Sequence, residues 1–412
     1  MESERLEERW NRELAAKGRI LPDYGNYSTS SLPGAIRAVL EGRRFENDVA
    51  RFVGKENRER VLLIVLDGLG YTALAGKSGK LPFFDGCRRE GKMIPVTTVF
   101  PSTTAAAITT LHTGKLPGEH GMIEWHLYLK ELGLMVQSLP FIPSRPDDQL
   151  KFEKLRPSAR VLCSCRTVYS RLARRGVRSA VLQPASITDS SFSRIIANGA
   201  DRLGYANLGE AARKLDRLLL DRRHGFVNFY YPGIDSAGHL FGPSSKEYAG
   251  EMGTMDSFLS HAAKAAAENG FTTVITSDHG QVDVNPRNVL LLDEIDGFNS
   301  RLALNRDEII QPYGSPRDVI VDAAEDQEEF RSWLKGALGE NSEVFTSDSM
   351  ISEGYFGKSI SGVARDRISD LWILPRGQNV VWYRHYTEET LEFKGMHGGT
   401  SLEEMIVPLA VL

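Results

Sequence analysis

Short apolar runs recur along the chain and alternate with longer amphipathic segments. Residues 61–66 read Val-Leu-Leu-Ile-Val-Leu, 225–231 read Gly-Phe-Val-Asn-Phe-Tyr-Tyr, and 271–276 read Phe-Thr-Thr-Val-Ile-Thr. A run as short as 61–66 and apolar on both faces predicts a central strand covered from both sides, and 225–231 and 271–276 predict further strands. Residues 93–100 and 178–182 predict two more strands. Between them, 208–221 predicts a helix carrying Leu215, Leu218, Leu219 and Leu220, and 248–269 predicts a longer one. Strands alternating with helices predict an α/β fold: a mostly parallel central sheet with helices on both faces.

The pattern changes in three places. Leu6, Trp10 and Leu14 share a helical face and 35–40 predicts a second short helix, so 1–60 reads as a helical lead-in packed on the core. Residues 127–141 alternate around Glu131-Leu132-Gly133 as a hairpin does. From 283 to 394, strands at 317–322 and 342–346 flank a helix at 325–338, and 371–374 and 380–383 return as strands. That reads as a small α+β cap inserted into a core of 61–282 and 395–412. The last apolar run of that core rejoins the main sheet.

Composition narrows the classes. The chain has 412 residues, 41% hydrophobic and 25% charged, which is ordinary for a soluble globular protein. A net charge of −4 offers no basic field to a nucleic acid polymer or an anionic membrane. No apolar stretch approaches the roughly 20 residues that span a bilayer. The first ten residues, Met1 to Trp10, lack the apolar centre of a secretory signal. With only Cys87, Cys163 and Cys165 as thiols, the expectation is a cytoplasmic protein without disulfides.

The apolar runs end in residues that carry chemistry. Asp67 follows the first; Asp235, with His239 four residues on, follows the second; Asp278 and His279 follow the third; and His397 lies in a later loop. The stretch Pro101-Ser102-Thr103-Thr104-Ala105-Ala106-Ala107-Ile108 sets hydroxyls at the start of an Ala-rich helix that stops at Gly114. A helix start offers free N–H groups to an anion. Each piece alone has a plain structural explanation, such as a helix cap or a strand-end hydrogen bond. Gathered at one sheet edge, carboxylates and imidazoles form a metal-ligand set, and the adjacency of Asp278 and His279 points to two ions.

The motifs that carry a family resemblance are Val65-Leu66-Asp67-Gly68, Phe100-Pro101-Ser102-Thr103-Thr104 with Thr113-Gly114, Asp235-Ser-Ala-Gly-His239, Ser277-Asp278-His279-Gly280, and His397-Gly398-Gly399 with Glu404-Met405. In this order and spacing the chain resembles the alkaline phosphatase superfamily, and within it the type I phosphodiesterase/nucleotide pyrophosphatase family. The resemblance implies hydrolysis of phosphodiester or nucleotide pyrophosphate bonds through a covalent phosphothreonine. It implies two divalent ions, zinc foremost. Asp235, His239 and His397 would hold one; Asp67, Asp278, His279 and the Thr104 oxygen would hold the other. Counting back from Thr113-Gly114 places the nucleophile on Thr104, with Thr103 as the alternative. The expected partner is a small phosphoester or nucleotide.

One departure stands out. The family's phosphate-binding Asn falls, by counting, on Trp125 in His120-Gly121-Met122-Ile123-Glu124-Trp125. Trp offers one N–H and no acceptor, so it is open whether Trp125 donates to substrate, stacks on a planar group or only packs. A phosphomonoesterase or phosphonate hydrolase on the same frame would need a fixed cation, for which Lys115 and Arg287 are candidates. A non-catalytic binding protein is the third reading. His112 and His120 read as a packed helix residue and a turn residue.

Overall fold

In the computed structural model, which describes residues 2–56, 59–324, 326–386 and 391–412, the apolar runs pair into a seven-stranded sheet. Its order is Met93–Thr97, Ile406–Val411, Phe271–Thr276, Arg60–Leu66, His224–Tyr231, Arg178–Pro184, Asp201–Tyr205. Ile406–Val411 runs antiparallel to both neighbours, and the remaining pairings are parallel. Residues 61–66 are buried throughout, as a central strand covered on both faces requires. Helices Leu208–Leu220 and Lys246–Glu268 pack together and on the sheet, while Leu32–Glu41, Thr104–Thr113 and Val168–Ala173 form a second group.

Register decides where the chemistry gathers. Val65 pairs with both Tyr230 and Thr276, so the three central strands end level. Asp67, Asp235 and Asp278 therefore emerge at one carboxyl edge, where open α/β sheets place ligands. Gly68 makes the close approach possible. Its φ is +74°, and a Cβ there would stand 2.7 Å from the Asp235 Cα.

A second, antiparallel sheet faces this edge. Its order is Ser342–Thr346, Leu371–Pro375, Asp318–Val321, Tyr313–Ser315, His126–Leu129, Leu134–Gln137, Ile142–Pro143. The hairpin expected at 127–141 is present, and it joins this sheet through the pairing of His126 with Gly314. The helix expected at 325–338 spans Gln327–Leu338; its expected first residue, Glu325, lies outside the described residues. Phe330 and Leu334 on that helix pack on Val319, Val321 and Ile373 to form a separate small core. Val282–Asp283 pairs antiparallel with Gly395–Met396, so the chain leaves and re-enters the first layer side by side.

Candidate metal centre and nucleophile

Thr103 and Thr104 divide the work at the helix start. Thr103 is extended, 2% exposed, and caps the helix by accepting from the Ala106 N–H. Its own hydroxyl donates to the Ile123 carbonyl. Thr104 is the first helical residue, and its Oγ1 lies 3.0 Å from His279 Nε2. The alternative nucleophile is thus occupied as a cap, while Thr104 faces the candidate ligands.

The predicted ligands form two trios, Asp67–Asp278–His279 and Asp235–His239–His397, in each of which the ligand atoms lie within 4.8 Å of one another. In the first, His279 Nε2 is 3.3 Å from Asp67 Oδ1 and 3.6 Å from Asp278 Oδ2. In the second, Asp235 Oδ1 is 3.3 Å from His239 Nε2 and 3.9 Å from His397 Nε2. Helix Gly233–Phe241 explains the second pairing, since residues four apart share a helix face.

The surroundings fit cations. All three imidazoles direct Nδ1 at a backbone carbonyl: His239 at Gly395 (2.8 Å), His397 at Ser102 (3.1 Å) and His279 at Gly280 (3.1 Å). A carbonyl only accepts, so Nδ1 carries the proton and Nε2 turns a lone pair inward, as metal-binding histidines do. Asp278 Oδ1 accepts from the N–H groups of Gly68 and His279, and Asp67 Oδ2 from the Tyr230 hydroxyl. Their other oxygens, Asp67 Oδ1 and Asp278 Oδ2, are buried without a hydrogen-bond partner. Burial, then the charges of Asp278 and Asp235, raises the Asp67 carboxyl well above its ordinary range. Burial lowers His239, but Asp235 outweighs it and raises the ring, so this oxygen–nitrogen pair attracts positive charge. Burial and then His279 hold the His397 ring well below its ordinary value, which keeps its lone pair free.

Side chains beyond the predicted ligand set support it. Gln281 Nε2 donates to Asp235, and Ser277 Oγ donates to the His279 carbonyl while accepting from the Leu69 N–H. Gly398, at φ +128°, passes so close to the second sheet that a Cβ would stand 2.5 Å from Asp318 Oδ1. Glu124 is fully buried and turned from the cleft centre. Its Oε2 accepts from the Trp125 N–H, and its carboxyl group lies beside that of Asp318. Burial raises Glu124 to about 7; burial and then Glu124 raise Asp318, so the two acids share a proton near neutrality. Trp125 is 40% exposed and borders the cavities on both sides of Thr104. Lys115 instead pairs with Glu119 at 2.6 Å, and neither it nor Arg287 borders those cavities.

The fold is alkaline-phosphatase-like, and the family match makes the chain a hydrolase. The model of the family "Type I phosphodiesterase / nucleotide pyrophosphatase" matches residues 61–400, and the chain belongs to that family. A Schizosaccharomyces pombe protein described as an uncharacterized pyrophosphatase/phosphodiesterase is 24% identical over 92% of this chain and 74% of its own length. Murine ectonucleotide pyrophosphatase/phosphodiesterase 5 has a similar fold, with a TM-score of 0.63 and 17% identity over 85% of this chain and 87% of its own. Its human counterpart superposes with a TM-score of 0.60 at 16% identity, over the same shares of the two chains. An inactive variant of the murine protein was solved in complex with AMP, and it too matches, with a TM-score of 0.62, 17% identity and the same coverage.

Proposed function

We propose that this phosphodiesterase/nucleotide pyrophosphatase works through a phosphothreonine on Thr104 and two divalent ions, zinc foremost. Asp67, Asp278, His279 and the Thr104 oxygen would hold one; Asp235, His239 and His397 would hold the other. The observation that carries this reading is the Thr104 hydroxyl, 3.0 Å from His279 Nε2, beside buried carboxylate oxygens that lack partners. Imidazole with carboxylate is a donor set suited to zinc. Bound there, the ions would supply positive charge that lowers the hydroxyl's pKa and stabilises the attacking and leaving oxygens.

The chain's own residues set the geometry. Thr104 opens the helix, so the first free N–H groups stand beside its hydroxyl and suit a non-bridging phosphoryl oxygen. The Thr104 oxygen forms a bond to phosphorus as the ester or anhydride oxygen departs on the opposite side. Water then breaks the threonine–phosphorus bond and frees Thr104 for the next turnover. Tyr230 and Gln281 fix the carboxylates of Asp67 and Asp235.

A diester monoanion suits the cleft better than a monoester dianion. Among the described residues, no Lys or Arg borders either cavity beside Thr104. The AMP held by the murine relative supports a nucleotide as part of the substrate. The free thiols Cys87, Cys163 and Cys165 support a cytoplasmic setting. The test is metal analysis with turnover of a chromogenic diester and a chromogenic monoester, each compared with Thr104→Ala. A faster diester rate that depends on Thr104 and on added zinc is expected. Turnover that survives Thr104→Ala overturns the nucleophile assignment.

A further inference from the structure

Two cavities open from Thr104, one to each side. The smaller, about 410 Å³, runs along Asp235, His239 and His397. The larger, about 550 Å³, runs past Asp67 and Tyr230 over Ile108, Leu139 and Phe192. Thr104, Trp125 and Asp235 border both, so Trp125 stands between them. Both volumes fall in the range that encloses a small organic group.

Their walls differ. The far wall of the smaller cavity comes from the second layer: the 314–316 turn, Trp382, Tyr386 and Phe393. Phe393 is 42% exposed, and its ring centre lies 5.0 Å from that of His239. Trp382 packs behind, 5.5 Å from His126 and 5.0 Å from His385 between ring centres. Aromatic faces therefore surround the Asp235–His239–His397 side of Thr104. Besides Asp235, the cavity is bordered by the acid Glu124, whose Oε2 accepts from the Trp125 N–H. The larger cavity mixes Phe192, Tyr230 and His112 with aliphatic and hydroxyl side chains, among them Ile187, Ile196 and Ser190, and lacks the second-layer aromatics of the smaller one.

The nucleophile fixes which cavity takes which group. The Thr104 oxygen lies on the His279 side, and in-line displacement sends the leaving oxygen the opposite way. The Asp235–His239–His397 trio and the aromatic cavity lie on that leaving side. We infer that the substrate carries an organic group on both sides of the scissile bond, and that its leaving group ends in a planar aromatic ring. That ring seats in the smaller cavity against Trp125 and Phe393, while the retained ester group occupies the larger one. A leaving group without a ring, such as inorganic phosphate, gains none of this stacking. The inference rests on the proposed reaction and names its substrate class.

Diadenosine diphosphate and ADP make a matched pair of probes. Attack on either can retain AMP on Thr104; one releases AMP and the other phosphate, leaving groups of similar basicity. Stacking of a base on an aromatic side chain is worth about fivefold or more. The zinc-loaded enzyme should therefore show a kcat/KM for diadenosine diphosphate at least about fivefold above that for ADP. Phe393→Ala should shrink that ratio toward one. Calorimetric titration of Thr104→Ala with the two uncleaved compounds should give the same preference without turnover. Equal kcat/KM values, or a preference that Phe393→Ala leaves intact, overturn the aromatic leaving-group site alone. Absence of Thr104-dependent turnover on both compounds overturns the reaction itself, and the inference with it.

Discussion

His279 and His397 lie face to face, 3.6 Å between ring centres and 15° from parallel, yet they serve different trios. The two candidate ion sites therefore share an imidazole wall. Elemental analysis after gel filtration should give two zinc ions per chain. His397→Ala and Asp278→Asn should each leave one, bound more weakly than in the parent. A bound ion at a thousandfold its Kd stabilises the fold by about 4 kcal/mol. Chelation should therefore lower the Tm of the parent, and lower it less in Asp278→Asn. A Tm indifferent to chelator contradicts the assignment of these residues as ligands.

Thr103 and Thr104 are neighbours with separable roles. Thr104→Ala should abolish turnover with little change in unfolding midpoint, because Ala is at home in the first helical turn. Thr103→Ala should retain turnover and lose about 1 kcal/mol of stability, the usual cost of an N-cap. Acid-quenched enzyme should carry a phosphoryl group on the peptide containing Thr104. Recovery of the adduct on Thr103 would reverse the assignment.

How much of this was legible in the sequence follows from the range of each interaction. Asp67 and Asp278 each follow a short buried strand, and those strands lie side by side in the parallel sheet, so their meeting follows from local pattern plus topology. Asp235 and His239 are one helical turn apart, which spacing alone shows. The helix start at Thr104 carries its own signals, a hydroxyl cap and a terminal glycine at φ +66°. Tyr230 on Asp67, Gln281 on Asp235 and the Glu124–Asp318 pair carry no such signal, because each joins segments whose proximity only the folded chain creates. The hairpin is visible in its alternation; that His126 would pair with Gly314 is not, since edge pairing depends on tertiary register. Short helices such as Tyr71–Ala75 and Pro82–Arg89 are too brief for a periodic pattern.

Glu404 shows how the loop bearing His397 is held. It is fully buried, and its two oxygens meet Arg317 Nε and Nη2 at 3.0 Å each. The same carboxylate accepts from the N–H groups of Gly399 and Ser401, while Arg317 also donates to the Asn379 carbonyl. The pair thus ties the His397 loop to the second layer. Arg317→Met strands a buried carboxylate and should cost about 3–5 kcal/mol in denaturant unfolding. Arg317→Met combined with Glu404→Gln should recover part of that loss, because the uncompensated charge is gone. A double variant no more stable than the single would show that the arginine acts through packing alone.

Acid should expose a different weakness, at His112. Its ring is buried, with the Tyr169 hydroxyl 3.1 Å from Nδ1 and Asn228 Nδ2 3.4 Å from Nε2. Burial lowers it from an ordinary value of 6.5 to about 4. Above pH 6.5 the ring is neutral in both folded and unfolded chains, and it contributes nothing to pH dependence. Between 6.5 and 4 the unfolded chain takes up a proton that the folded chain refuses, so stability falls as pH falls. The loss from this one residue should reach about 3 kcal/mol by pH 4. His120, buried and lowered to about 3, acts in the same direction. His112→Gln keeps polar groups for Tyr169 and Asn228 but cannot titrate. Between pH 7 and 4 its unfolding free energy should fall by about 3 kcal/mol less than the parent's, whatever its stability at pH 7. Parallel curves for the two proteins would mean that His112 takes up its proton equally in both states.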